Sequence, residues 1–103
     1  MYNQNFNNNS DNQQFNSQNI TFEITQPIAI ISRYDNEEKN IHNTKEVNMV
    51  SWNGRPASLD IRNWRVDPVD NKKKPGKGIS FNIQEAQNLC SYLISAGFAQ
   101  QNN

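Results

Sequence analysis

KEVNMVSWNGRPASLDIRNW, residues 45–64, decides the fold. Its first half carries Val47, Met49, Val50 and Trp52, its second alternates apolar and polar residues, and Asn53-Gly54 stands between the two. Asn-Gly supplies the positive φ angles of a tight hairpin turn, so the stretch predicts two antiparallel strands, 45–53 and 57–66. Period two then places Leu59 and Ile61 on one face of the second strand and Asp60, Arg62 and Trp64 on the other.

Working upstream, Ile20 to Thr25 alternates at period two, Gln26-Pro27 interrupts, and Ile28-Ala29-Ile30-Ile31 follows as an apolar run. One long strand or two short ones fit. Pro27 cannot donate to a ladder and therefore argues for a bulge or an edge position. Residues 35–44 are charged and Asn-rich and read as a loop. Downstream, Asp67 to Asn71 is a polar turn, and Lys72 to Lys74 with Pro75-Gly76-Lys77-Gly78 leads into a short strand carrying Ile79 and Phe81. Asn82 and Glu85 have the spacing of a capping box, and Ile83, Ala86, Leu89, Cys90, Leu93, Ile94 and Phe98 recur at helical period. That amphipathic helix is long enough to cover one face of a four-stranded sheet or to pair with a partner helix. The predicted order is four strands and one helix, an antiparallel α+β domain.

The 103 residues make at most one domain, and their formal charge is zero, with 10 basic and 10 acidic groups. The balance is local in origin: 44–80 holds eight Lys or Arg against four acids, a basic segment suited to an anionic partner. Of 19 Asn and 9 Gln, 12 fall in the first 19 positions, with Tyr2, Phe6 and Phe15 as the only large apolar groups there. Residues 1–19 are expected to form a disordered Asn/Gln-rich tail, 20–99 the folded domain and 100–103 a frayed end. No apolar run reaches the ~18 residues of a membrane span and no signal peptide is visible, which gives the expectation of a soluble, cytoplasmic protein. A body of about 80 residues buries only roughly 60 to 65% of its unfolded surface, so dimerisation would supplement a small core.

Catalytic material is sparse. His42 has no Cys or Ser companion at a recognisable spacing, and Cys90 sits on the apolar helix stripe as a small hydrophobe. One Cys and one His make neither a disulfide nor a zinc site, so no metal or cofactor is expected, and no enzyme. Lys-Pro-Gly-Lys-Gly lacks the spacing of a phosphate loop and precedes a strand. Nucleic-acid binding is better supplied. Arg62 and Trp64 share a strand face, Trp52 neighbours them across the hairpin, and Arg55, Lys72, Lys73, Lys74 and Lys77 occupy adjoining segments. Cations that follow phosphates, with rings that stack on unpaired bases, are what a single strand requires. The alternative is that Trp52 and Trp64 belong to the core or a dimer contact and the lysines to a solvated turn.

Asp60-Ile61-Arg62-Asn63-Trp64, then Asp67-Pro68, then Lys74 to Phe81 and a capped helix strongly resemble the family of the positive-cofactor-four transcriptional coactivator. Val50-Ser51-Trp52-Asn53 is similar to its compact bacterial YdbC-type members, which implies a bacterial or phage protein. The resemblance covers roughly residues 20–94. It implies a strongly curved four-stranded antiparallel sheet followed by one helix, dimerising through the helices. It implies sequence-nonspecific binding of single-stranded DNA in transcription regulation, replication or repair. By position, Arg62 would meet the backbone, Trp64 would stack on a base, and Lys74, Lys77 and Gly78 would form the lip of a channel. Trp64 stands one position earlier than the eukaryotic tryptophan, with Arg65 in the alternative place, and Arg55 replaces an aromatic tip. The expected interface is therefore Trp52, Arg55, Arg62, Trp64, Lys73, Lys74, Lys77 and Gly78. Expected partners are single-stranded DNA, a second copy through the C-terminal helix, and transcription or repair machinery. Two other classes stay open, a protein-docking module and an RNA-binding protein.

Overall fold

The computed structural model describes residues 20–99. The expectations for 1–19 and 100–103 lie outside them. Four strands, β1 (Phe22–Asn36), β2 (Ile41–Trp52), β3 (Ser58–Val66) and β4 (Lys73–Phe81), are followed by one helix, α1 (Ile83–Ser95). The strands form one open antiparallel sheet in the order β1-β2-β3-β4, so each hairpin joins sequence neighbours. The predicted element order and class agree with this arrangement.

Boundaries differ where polar residues hide strands. The loop expected over 35–44 shrinks to a turn at 37–40, because Asp35 pairs with His42 and Asn36 with Ile41 in the ladder. Asp35 Oδ1 lies 2.8 Å from His42 Nδ1, and Asn40 takes the positive φ of 54° that closes the turn. The segment from Lys73 to Gly78, expected only to lead into a short strand carrying Ile79 and Phe81, is itself strand: β4 starts at Lys73 and passes straight through Pro75 and Gly78. Being an edge strand, β4 tolerates a residue with no donor. At 53–54 the expected turn stands, with φ of 53° and 76° and an Arg55 N–H bond to the Trp52 carbonyl at 3.0 Å.

β1 is one strand, and its 15 residues pair with only 12 of β2. Three register shifts, at Ile24/Gln26, Pro27/Ala29 and Ile30/Ser32, each take up one extra residue and switch which side chains share a face with β2. A fourth lies in β4, where Gly76 and Lys77 together oppose Asn63. Gly78 pairs with Arg62, and a Cβ built there would lie 1.8 Å from Arg62 Cβ and 2.6 Å from the Ile61 carbonyl oxygen. Only glycine fits that crossing.

The predicted alternation of β3 is present, but the polar-looking face is the more buried one. Val50 and Trp64, at 0% and 1% exposure, are the buried hydrophobic residues, joined by buried Asp60, Asn48 and Glu46. Phe22 lies 5.1 Å from Trp64 and 5.9 Å from Trp52, and the two indoles stack 6.4 Å apart at 5°. Leu59 and Ile61, on the other face, are half-buried.

Asn82 and Glu85 close the predicted capping box, with reciprocal bonds of 2.8 and 2.9 Å. The helix stops at Ser95, short of the predicted stripe end at Phe98. Gly97, with φ of 90°, lets Phe98 N–H reach the Leu93 carbonyl at 3.0 Å and its own N–H reach Ile94 at 3.0 Å, a Schellman stop. The helix does not cover the sheet. It meets only β3 and β4, no residue of it is buried, and Ile83, Tyr92 and Ile94 are 63 to 77% exposed.

Candidate nucleic-acid interface

Each acid on the buried face holds one of the cations expected at the interface. Asp60 is wholly buried and accepts both Nε and Nη2 of Arg62 at 2.8 Å, as well as the Ser80 hydroxyl at 2.7 Å. The guanidinium also donates to the Gly76 carbonyl at 3.0 Å and lies 4.7 Å above the Trp52 ring. Arg62 is thus fixed by a bidentate pair and a ring, and its charge is balanced within the fold.

Glu46 plays the same part for Lys73, whose ammonium lies 2.8 Å from its carboxylate and 5.3 Å from the Trp64 ring. Burial pushes the Glu46 carboxyl up, but hydrogen bonds from Lys73, Thr44 and Asn48, with the Lys73 charge, outweigh it and hold the group below its ordinary range. Lys74 pairs with Asp70 at 3.1 Å, a bond that lowers the Asp70 carboxyl.

Trp52, Arg62, Trp64 and Lys73 therefore come together, as one network on the buried face. Trp64 has Trp52 stacked beside it, and neither indole N–H has a partner among the described residues. Gly78 serves the network sterically, by letting β4 pass over Arg62. Arg55 is exposed beyond the β2 turn, apart from the cluster.

Lys77 joins a different set. The β4 bulge presents it at a cleft of about 400 Å³ that draws on all four strands. Its wall includes Arg33 and Tyr34 from β1, Asn43 and Lys45 from β2, and Asn63 and Arg65 from β3. Register places Tyr34 opposite Asn43, Asn43 opposite Arg65 and Lys45 opposite Asn63, so these five side chains share the outer face of the sheet, whereas Arg33 stands opposite Thr44 on the face of Trp64 and reaches the cleft from the β1 edge. Among the described residues Arg33, Lys45 and Lys77 have no ion-pair partner, and Arg65 reaches Asp67 only at 3.9 Å. Four cations and no acid line this wall. Arg65 was the expected alternative to the tryptophan position, whereas Arg33, Tyr34 and Lys45 were missed. The adjacent Arg33 and Tyr34, one residue beyond the Ile28–Ile31 run, were the available signal.

The family model described as Transcriptional Coactivator p15 (PC4) matches residues 39–92, from the β1–β2 turn into α1. An uncharacterized protein of Treponema pallidum (strain Nichols) is 42% identical over 50 residues, 48% of this chain and 54% of that relative. The chain thus spans about half the length of the curated relative it matches.

Proposed function

We propose, from the premise that this chain belongs to the Transcriptional Coactivator p15 (PC4) family, that it binds single-stranded DNA and acts as a coactivator-like regulator. The observation that carries this reading is the acid-free cleft bounded by Arg33, Lys45, Arg65 and Lys77. Cations lining one cleft would neutralise phosphates of a strand laid along it, while the paired Arg62 and Lys73 hold the scaffold behind them. Trp64, buried in that scaffold, supports the cleft wall, and Trp52 braces Arg62.

The sheet in this reading is strongly curved. Trp64 stands opposite Thr44, eight positions along β2 from Trp52, about 26 Å in a flat strand at ~3.3 Å per residue. Their ring centroids are 6.4 Å apart, which supports a bend that brings the two ends of β2 toward each other. The protein is also a homodimer in this reading. Ile83, Tyr92, Leu93 and Ile94 leave α1 with an exposed apolar surface that a second copy of the helix would cover.

Titration of labelled oligo(dT) of about 20 nucleotides against a duplex of equal length, by anisotropy at several salt concentrations, tests the function. Preference for the single strand is expected, with log affinity falling against log salt at a slope near −3 for about four neutralised phosphates. Lys77→Ala should reduce that slope by about 0.7. Absence of binding at low salt would refute the reading. A matched RNA oligomer that competes better than DNA would move it to RNA.

A further inference from the structure

We infer that Tyr34 is the platform on which a nucleobase stacks in the cationic cleft, an inference that rests on the single-strand reading above. A stacking residue needs a free ring face, a fixed orientation and phosphate-binding charges within one nucleotide's reach. The two tryptophans fail the first requirement. Trp64 is 1% exposed, and the two indoles stack on each other, with Arg62 over one and Lys73 over the other.

Tyr34 meets all three. It is 56% exposed on β1, and among the described residues the aromatic contacts join Phe22, Trp52 and Trp64 to one another without it. Its hydroxyl accepts a hydrogen bond from Asn36 Nδ2 at 3.3 Å, which ties the phenol to a residue of its own strand and limits ring rotation. It lines the same cleft as Arg33, Lys45, Arg65 and Lys77. A tyrosine 56% exposed in a cleft lined by four cations has a ligand's base as its natural cover.

The β1 bulges make the placement. Between Ile24 and Ser32 they insert three extra residues, an odd number, so Tyr34 stands opposite Asn43 on the outer face. Uninterrupted alternation from Phe22, which shares the buried face with Trp52, would have carried position 34 to that same buried face.

The test uses the full chain with two probes of equal charge, a dT 20-mer and an abasic 20-mer that keeps the phosphates and lacks bases. The unaltered protein should prefer dT, and Tyr34→Phe should stay within about twofold of it, since the ring remains. Tyr34→Ala should weaken dT binding about 5- to 150-fold, leave abasic binding unchanged and keep the salt slope. Tyr34→Ala binding dT as well as the unaltered protein would overturn the inference, as would equal losses on both probes. If the unaltered protein binds neither probe, the single-strand reading itself has failed, and the stacking role fails with it.

Discussion

At Gly78 a methyl group has no room. The atoms it would meet are Arg62 Cβ and Cα and the Ile61 carbonyl, so the strands themselves must separate. Gly78→Ala is expected to cost at least about 3 kcal/mol, read as a lower urea midpoint with little change in its slope. Glu46 gives a prediction of a different kind. Its carboxyl is held below its ordinary value, so its contribution is fully present above the unfolded pKa and is lost as pH falls through the folded one. Melting temperature should therefore drop on acidification below about pH 4.5. Glu46→Gln should flatten that limb and cost about 1–2 kcal/mol at neutral pH, since Lys73 keeps partial access to water. An unchanged acid limb in this variant would remove Glu46 from the account.

Among the elements, the helix and the second hairpin were readable because their signals are local. Asn82 with Glu85 marks a start, and Asn53-Gly54 marks a turn, whatever the rest of the chain does. The helix end was less legible, since Phe98 continues the apolar period and only the conformation of Gly97 reveals the stop. Strand segments 41–44 and 73–78 were missed because their side chains are polar or turn-forming, and ladder bonding does not show in a hydropathy pattern. Which face of β3 is interior was also hidden. Alternation separates Leu59 and Ile61 from Asp60, Arg62 and Trp64, but both sets contain large apolar groups, and only the approach of Phe22 and Trp52 decides between them. Tyr34 escaped for a related reason, as each bulge in β1 resets the parity from which a face is read. For α1, replacing Leu93 and Ile94 together by Glu should leave the capped helix intact and convert the proposed dimer to a monomer in sedimentation. An unchanged sedimentation coefficient would exclude the helix as the dimer contact.

Across the whole molecule, opposite charges have been sorted by depth. Asp60 and Glu46 lie inside and each holds a cation, while Arg33, Lys45 and Lys77 are exposed and have no ion-pair partner among the described residues. A chain of zero formal charge thereby presents a cleft whose charged lining is all cationic, and the proposed DNA binding would draw its salt slope from that cleft. The basic segment 44–80 was legible as a sum, yet the sum counted Arg62 and Lys73, which the fold neutralises, and omitted Arg33, which it recruits.

The three bulges of β1 also alter what this sheet edge offers to another strand. β1 is a 15-residue edge strand with Ile28, Ile30 and Ile31 about half exposed, a combination that ordinarily templates intermolecular cross-β growth. Register breaks near Ile24, Pro27 and Ile30 leave no long straight row of outward amides, and Pro27 removes one donor altogether. An incoming strand would find a docking edge interrupted every three residues or so. The same irregularity that turns Tyr34 outward thus makes this edge a poor template for amyloid-like stacking.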